Sequence, residues 1–169
     1  MIHELLHYKK VILASLSPRR KELFSLLGIS FTAIPAELEE TINNEAPQTQ
    51  AMQNALRKAQ IVKDKVNKDA LVVSADTLVA LDNHILGKPA NAEEAGKYLR
   101  LLSGRSHSVY TGICIYYNDL AEINYEQTFV TFAELSEAEI NSYIATGEPL
   151  DKAGAYGIQG FGAQFITKV

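Results

Sequence analysis

The distribution of apolar and polar residues predicts that strands and helices alternate along the first part of the chain. Short apolar runs at residues 10–15 and 30–35 indicate two strands. Between them, Ser17 followed by Pro18 is a favourable helix start, and Gly28 is a favourable stop. We therefore expect a strand, a helix and a second strand, in that order.

The middle of the chain predicts a long helix, a buried strand and a hairpin. Between residues 48 and 66, apolar residues recur at helical spacing: Met52, Ala55, Leu56, Ala59 and Val62. The continuous apolar run at residues 70–75 is typical of a strand that is covered on both faces of its sheet. Residues 77–89 then predict a hairpin that turns at Asp82 and Asn83.

The second half adds two capped helices and two consecutive long strands. Two pairs of residues have the spacing of a capping box at a helix start: Asn91 with Glu94, and Ser136 with Glu139. Long strands are expected at residues 106–117 and 123–135, and the glycine-rich tail ends in a further strand. Because two strands follow each other directly, we predict an α/β fold with a mixed sheet flanked by helices and two lobes around a cleft. No repeat or linker interrupts residues 1–169, which favours a single domain.

Composition and charge exclude several classes of protein. Of 169 residues, 47% are apolar and 21% are charged, as in soluble globular proteins, and the net charge of −4 provides no basic surface for nucleic acid. No apolar stretch approaches the roughly 20 residues that span a bilayer, and the N-terminal residues lack the apolar segment of a signal peptide. The lone Cys114 lies in an apolar strand pattern, which indicates a buried, inert thiol and a reducing compartment. We expect a cytoplasmic protein that binds neither membranes nor nucleic acid.

The segment SLSPRR, residues 15–20, places hydroxyl groups and two adjacent arginines at the start of the first helix. A helix N-terminus presents unpaired N–H groups and a partial positive charge, and guanidinium groups add charge-assisted donors. Ser15, Arg19 and Arg20 are therefore candidates for binding an anion such as a phosphate. Taken alone, the segment is explained more simply by a Ser-Pro helix start followed by solvated arginines.

Three further charged residues occupy positions that suggest chemistry. Asp76 comes directly after the apolar run, where ligands gather in open α/β sheets; it could hold Mg²⁺, act as a base on water, or simply cap a turn. Lys58 lies inside the apolar stripe of its helix, where it either snorkels to water or serves a site. Lys88 lies in a Gly-Pro turn that aims it at one spot, although such a lysine is often only solvated.

The remaining candidates are an acidic loop, a glycine-rich segment and two histidines. The loop around Glu40 could supply a second carboxylate for a metal, although acidic loops are usually solvated. Gln159 lies among glycines that let the backbone approach a ligand, and its amide is both donor and acceptor. His84 and His107 occupy loop-like surroundings without ligand spacing, which argues against zinc. Together, these cations, acids and glycines indicate a phosphate ester bound with Mg²⁺.

Several segments together resemble the Maf family, the septum-formation proteins that are understood as nucleoside triphosphate pyrophosphatases of inosine-triphosphatase-like fold. The resemblance extends from about residue 11 to the end of the chain and is carried by ILASLSPRRKELFSLLG, ELEE, LRKA, SADTLV, LGKP, LRLLSGRSHSVYTG and EPLDKAGAYGIQGFGA. The order and number of these segments make the match specific, whereas each of them alone would be weak.

The resemblance implies a role for each candidate residue. Ser15, Arg19 and Arg20 look like the family's phosphate-binding entrance, and Glu40, Lys58 and Lys88 match polar positions of its cleft. We expect Lys58 and Lys88 to bind the substrate phosphates together with the first three residues. Asp76 matches the acid that is assigned as proton acceptor, and Glu40 with Asp76 would hold Mg²⁺ or another divalent cation such as Mn²⁺. The positions linked to substrate choice are Arg19, Thr77 and Gln159.

The resemblance also implies the reaction. The AYGIQG version is similar to the branch that acts on dTTP and UTP, so we expect hydrolysis of these nucleotides to the monophosphate and pyrophosphate. A nucleotide-responsive regulator of cell division and septum formation, or a pyrophosphatase for modified or other nucleotides, is the alternative. Family members continue with a VVGLP-type segment and a final helix, so we expect that segment to be absent here. A homodimer is common in proteins of this appearance.

Overall fold

A computed structural model describes residues 1–38, 43 and 45–169. In this part of the chain the helices are α1 Ile2–Leu5, α2 Pro18–Leu26, α3 Pro47–Lys63, α4 Ala92–Leu102 and α5 Glu137–Ala145. The strands are β1 Val11–Leu13, β2 Phe31–Ala33, β3 Leu71–Leu81, β4 His84–Leu86, β5 Ser106–Tyr117, β6 Leu120–Phe132 and β7 Ile166–Lys168. Short 3-10 helices occupy Glu148–Asp151, Ala153–Ala155 and Phe161–Phe165. None of the helices in these ranges combines the length and the apolar character needed to cross a bilayer.

The strands form one sheet in the order β2-β1-β3-β5-β6-β7, with β4 paired to β3. Strand β1 runs parallel to both β2 and β3, whereas β4 is antiparallel to β3 and β7 is antiparallel to β6. In the parallel pair of β1 and β3, Leu13 lies opposite Val73, and the Ala14 N–H donates to the Val73 carbonyl at 2.8 Å. The predicted mixed α/β sheet is confirmed.

The turn between β3 and β4 lies where the sequence predicted it. Asp82 and Asn83 have φ angles of 50° and 67°. Positive φ at both central residues is the geometry of a type I′ turn, which matches the twist of the flanking strands and is tolerated best by Asn, Asp and Gly. Asn118 and Asp119 connect β5 to β6 in the same way, with φ angles of 46° and 62°.

Strand β3 is longer than predicted and contains Asp76 instead of ending before it. It runs from Leu71 to Leu81, and buried and half-buried residues alternate along most of its length. Ser74 and Asp76 both lie on the buried side, where the Ser74 hydroxyl donates to the Ala55 carbonyl at 2.5 Å. The predicted strand end at residue 75 is wrong because these polar side chains find partners inside the protein and do not need water.

Both predicted helix starts are present. Ser136 and Glu139 form the complete capping box at the start of α5. At the start of α4, the Asn91 side chain accepts from the Glu94 N–H at 3.0 Å, as expected. The Glu94 carboxylate, however, accepts from the Ala90 N–H at 2.6 Å, one residue before the position that a capping box would use.

The chain divides into two compact units, and each has its own core. Of the described residues, unit 1 contains 1–38, 48–76 and 111–125, and unit 2 contains 43, 45–47, 77–110 and 126–169. The two expected lobes correspond to these units, whereas the cleft and the single-domain assignment stay predictions.

The core of unit 1 forms where α3 packs against strands of the sheet. Ala51, Ala55 and Ala59 recur every four residues on α3 and are fully buried. This alanine stripe lets the helix approach the strands closely. Cys114 is fully buried in the same unit, and burial raises the pKa of its thiol to about 11. The expectation of a buried cysteine is confirmed, and a thiol of this kind is unreactive.

Gly112 of β5 provides a test of this close packing. A Cβ atom at Gly112 would lie 2.6 Å from the Met52 nitrogen and would also overlap the Ala51 carbonyl. We expect Gly112→Ala to lower the free energy of unfolding by about 1–3 kcal/mol, and Gly112→Val to lower it further, because overpacking grows with side-chain size. Urea denaturation followed by circular dichroism measures both changes.

Gly28 is the matched control, since its constraint is conformational and not steric. Its φ angle is 67°, and nothing lies within 4 Å of an added Cβ. Asparagine tolerates this conformation, so Gly28→Asn should cost less than Gly28→Ala. A Gly112→Ala variant as stable as the wild type would contradict the packing described for α3 and β5.

The core of unit 2 contains an aromatic cluster that includes His107. The His107 ring makes edge contacts with Phe132 and Tyr156, with ring centroids 5.2 and 5.3 Å apart, and its Nε2 lies 2.7 Å from the Tyr156 hydroxyl oxygen. Burial lowers the pKa of His107 to about 4, so the ring is neutral at physiological pH. The predicted loop-like surroundings are therefore wrong for His107, which lies in β5, and for His84, which begins β4.

Candidate active site

A carboxylate, an ammonium group and an amide meet in the interior of unit 1. Asp76 is 3% exposed and Lys58 is 8% exposed. Lys58 Nζ donates to Asp76 Oδ1 in an ion pair, and Asn54 Nδ2 donates to Asp76 Oδ2 at 3.0 Å. Because a carboxylate oxygen has two acceptor sites, each oxygen of Asp76 can also accept a hydrogen bond from water or coordinate a cation. Lys58 does not snorkel, so one of its two predicted alternatives is excluded.

The partners of Asp76 come from one row of polar residues on α3. Gln50, Asn54 and Lys58 are four residues apart, which places them on one face of the helix, and all three are buried. The row lies beside the alanine stripe. Of these three residues, only Lys58 was a candidate from the sequence. The signal that also indicates Asn54 and Gln50 is the repeated four-residue spacing of polar residues next to the alanines.

The segment between β1 and α2 has the helix-start geometry that the sequence predicts. Ser15 is buried, and its Oγ accepts from the Ser17 N–H at 3.2 Å. Ser17 is the N-cap and Pro18 the first helical residue; in the described part of the chain, the Ser17 side chain makes no capping hydrogen bond. In the first turn of α2, Arg19 is exposed and Arg20 is half-buried. A helix start with this charge and without a side-chain cap suits an anion.

The parallel strands bring these groups to the same end of the sheet. Leu13 pairs with Val73, so Ser15 and Asp76 lie two and three residues beyond the paired ends of β1 and of the parallel part of β3. In α/β sheets, ligands bind beyond the carboxyl ends of parallel strands. Asp76 lies inside β3 but beyond its parallel part, so the reason for expecting a ligand there still holds.

Unit 2 contains the other candidates. Thr77 lies on β3 and is half-buried, and Lys88 is exposed. The turn that carries Lys88 is held by a hydrogen bond from the Gly154 N–H to the Gly87 carbonyl, at 3.0 Å. Gly154 has a φ angle of 68°, and a Cβ there would lie 2.8 Å from Val79 Cγ1, so both conformation and space require glycine.

Gln159 lies in a segment of unit 2 that we call the glycine-rich loop, residues 157–162. Gln159 is exposed, so its amide is accessible to a ligand. The assigned roles of Gln159, Thr77 and Lys88 stay predictions, as do the roles of Ser15 and the two arginines.

The residues present satisfy the modest requirements of a magnesium ion. Glu40 lies outside the described residues, and among those described no three His, Cys, Asp or Glu side chains cluster to hold a metal by themselves. Mg²⁺, however, usually binds through one or two carboxylates together with substrate phosphates. Asp76, with acceptor capacity on both oxygens, fits that requirement.

Comparisons with known proteins identify the family of the chain. The family model described as Maf-like protein matches residues 10–169. The chain belongs to the Maf family. The dTTP/UTP pyrophosphatases of Bacillus cereus strain ATCC 10987 and of Bacillus anthracis are both 51% identical to it over 162 residues. The match covers 95% of this Maf-family chain, 79% of the first relative and 84% of the second.

The structure of the Staphylococcus aureus Ham1 protein has a similar fold. The two structures superpose with a TM-score of 0.56 at 17% sequence identity, over 94% of this chain and 80% of the other. At this level of identity the likeness concerns the fold alone, and it confirms the fold class that the family resemblance implied.

Proposed function

We propose that this chain hydrolyses dTTP and UTP to the nucleoside monophosphate and pyrophosphate. The observation that carries the proposal is the buried Asp76 carboxylate, held by Lys58 and Asn54 beyond the parallel ends of the sheet. The relatives named dTTP/UTP pyrophosphatase, which are 51% identical over 95% of the chain, support the same reaction.

Asp76 would act as the base on the attacking water. Its two donors hold the carboxylate in one orientation, so that an acceptor site can take a proton from the water as its oxygen bonds to the α-phosphorus. The bond from the α-phosphorus to the oxygen that bridges it to the β-phosphorus then breaks. Pyrophosphate leaves with that oxygen, and the water oxygen stays on the monophosphate.

The arginines at the start of α2 would bind the triphosphate and stabilise the charge that develops on the leaving pyrophosphate. Arg19 and Arg20 add guanidinium donors to the partial positive charge of the helix N-terminus. Ser15, Lys58 and Lys88 belong to the same proposal through the family resemblance. A divalent cation such as Mg²⁺ or Mn²⁺, held by Asp76 and Glu40, would supply further charge neutralisation at the phosphates.

We place the reaction in the cytoplasm, since a single buried cysteine suits a reducing compartment. We also propose that the protein forms a homodimer. The substrate partner is a nucleotide, and the regulator of cell division is the less favoured alternative because the curated relatives are named as enzymes.

A screen of triphosphates with separate detection of phosphate and pyrophosphate tests the proposed reaction. We expect pyrophosphate and no phosphate from dTTP and UTP in the presence of Mg²⁺, and loss of turnover when the cation is removed. Tight nucleotide binding without any product would favour the regulator instead.

The base preference is expected to depend on Gln159. Its amide can pair with the alternating acceptor and donor edge that thymine and uracil share. The 5-methyl group distinguishes the two bases by at most about 1–3 kcal/mol, so both nucleotides should be substrates. Cytosine carries an amino group in place of one acceptor, so kcat/KM for CTP should be much lower.

Gln159→Glu replaces the amide donor with an acceptor and should reduce the preference for dTTP and UTP over CTP. The exposed Gln164 of the same unit provides the control, because Gln164→Glu adds the same charge outside the glycine-rich loop. The measurement is kcat/KM for dTTP, UTP, CTP and 7-methyl-GTP in each variant. Preference of the wild type for 7-methyl-GTP, or an unchanged ranking in Gln159→Glu, would contradict the assignment.

A further inference from the structure

Two side chains of unit 2 hold the glycine-rich loop at both of its ends. The Tyr143 hydroxyl accepts a hydrogen bond from the Gly157 N–H at 3.3 Å. The Glu148 carboxylate accepts from the Phe161 N–H at 2.9 Å and from the Gly162 N–H at 3.2 Å. Tyr143 also donates its hydroxyl proton to Glu148 Oε1 at 2.9 Å, so the two anchors are joined to each other.

The anchors are themselves fixed by their surroundings. The Tyr143 side chain is 2% exposed, and its ring packs edge-on against Phe165 with centroids 5.1 Å apart. Lys152 Nζ donates to the Glu148 carbonyl at 3.0 Å. Burial alone would raise the pKa of Glu148, but its hydrogen bonds to the two backbone N–H groups and to Tyr143, with the Lys152 charge, hold it below the ordinary value. Glu148 is therefore ionised at neutral pH and accepts from all three donors.

Two glycines of the loop are required by these anchors. A Cβ at Gly160 would lie 2.5 and 2.6 Å from the two carboxylate oxygens of Glu148. A Cβ at Gly162 would lie 2.7 Å from the Tyr143 hydroxyl. The backbone of Gly160 is extended, with a φ angle of −172°, so the position needs glycine for space and not for conformation. These glycines therefore serve the anchoring of the loop.

Gln159 lies between the anchored ends, two residues after Gly157 and two residues before Phe161. We propose that Tyr143 and Glu148 are positioning residues for base recognition, which hold the loop in the conformation that presents the Gln159 amide to the nucleotide base. The inference rests on the proposed function. A loop so rich in glycine gains much freedom when it is released, and hydrogen-bond recognition of a base depends on fixed geometry.

The test uses two variants that keep the size of the side chain. Tyr143→Phe removes the hydroxyl that joins Gly157 to Glu148, and Glu148→Gln replaces one acceptor oxygen with a donor that cannot receive a backbone N–H. Tyr98→Phe is the matched control, because the Tyr98 hydroxyl donates to Glu94 Oε1 at 3.1 Å, within helix α4 of the same unit and not to the loop. If one loop variant fails to fold, the other still tests the proposal.

Two quantities are measured in each variant: the ratio of kcat/KM for UTP to that for CTP, and the ratio of equilibrium binding constants for UMP and CMP, since each pair differs only in the base. We expect both ratios to fall roughly tenfold in the loop variants, the scale of one lost hydrogen bond, and to stay within about twofold in the control. A general loss of stability lowers kcat/KM and the binding constant for both nucleotides alike, and it therefore leaves the ratios unchanged. Hydrogen exchange at the Phe161 and Gly162 amides should become faster in the loop variants.

The outcomes separate the inference from the proposed function. Unchanged ratios in the folded loop variants, or a wild type that binds UMP and CMP equally, would overturn the positioning role. A wild type that releases no pyrophosphate from dTTP or UTP would overturn the proposed function instead. In that event the UMP and CMP binding ratio decides the inference, since it requires no turnover.

Discussion

Asp76→Asn is expected to lower kcat for dTTP by roughly 10²–10⁴-fold, the usual contribution of a general base. The substitution keeps the shape of the side chain and removes its charge and its basicity. Asn54→Leu is the graded comparison, because it removes one hydrogen bond to the carboxylate and leaves the base in place. We expect a smaller loss for Asn54→Leu, roughly tenfold, since it alters only the orientation of Asp76.

Asp76→Asn is also expected to lower the free energy of unfolding, so folding of the variant must be checked before its activity is compared. Lys58 and Asp76 form a buried ion pair, with side chains 10% and 4% exposed, so Asp76→Asn removes a negative charge that faces a buried ammonium group. Breaking a buried pair in this way costs about 3–5 kcal/mol. The double variant Lys58→Met/Asp76→Asn removes both charges and should recover part of the lost stability. Turnover within threefold of the wild type in folded Asp76→Asn would contradict the catalytic role.

Arg19→Ala and Arg20→Ala are expected to lower kcat/KM for dTTP strongly, by roughly 10- to 150-fold each. The estimate follows from about 1.5–3 kcal/mol for a hydrogen bond to a charged group. Raising the salt concentration should reduce the loss of kcat/KM caused by Arg19→Ala more than the loss caused by Arg20→Ala. The reason is that Arg19 is exposed and Arg20 is half-buried, and screening acts mainly on exposed charges.

Arg100→Ala is the control for a general charge effect. Arg100 lies on α4 and pairs with Glu137 at 2.7 Å, and both side chains are largely exposed. Such surface pairs contribute about 0–1 kcal/mol to stability and should not affect turnover. Equal losses of activity at Arg19, Arg20 and Arg100 would mean that net charge and not a phosphate site is responsible.

The parts of the fold that local chemistry determines could be predicted from the sequence. Three such features depend only on interactions among neighbouring residues: the helix start at Ser17 and Pro18, the capping box of Ser136 and Glu139, and the turn at Asp82 and Asn83. These features need no knowledge of tertiary packing.

The interior of the site could not be predicted in the same way, because tertiary contacts decide it. Ser74 and Asp76 resemble the polar end of a strand until Ala55, Asn54 and Lys58 are placed opposite them. A polar residue in an amphipathic helix normally lies on the solvent face, so the sequence pattern gives no reason to expect Asn54 in the interior. The same limit applies to His107, which lies within the strand expected at residues 106–117 but whose aromatic partners come from distant segments that no local pattern identifies.

Hydrolysis of dTTP in ¹⁸O-labelled water is the most direct test of the central claim, which is attack on the α-phosphorus by water that Asp76 activates. Mass spectrometry of the products locates the bond that water forms. The account predicts one ¹⁸O atom in dTMP, none in pyrophosphate, and loss of this labelling reaction in Asp76→Asn. Label in pyrophosphate, or release of labelled phosphate with dTDP, would contradict it.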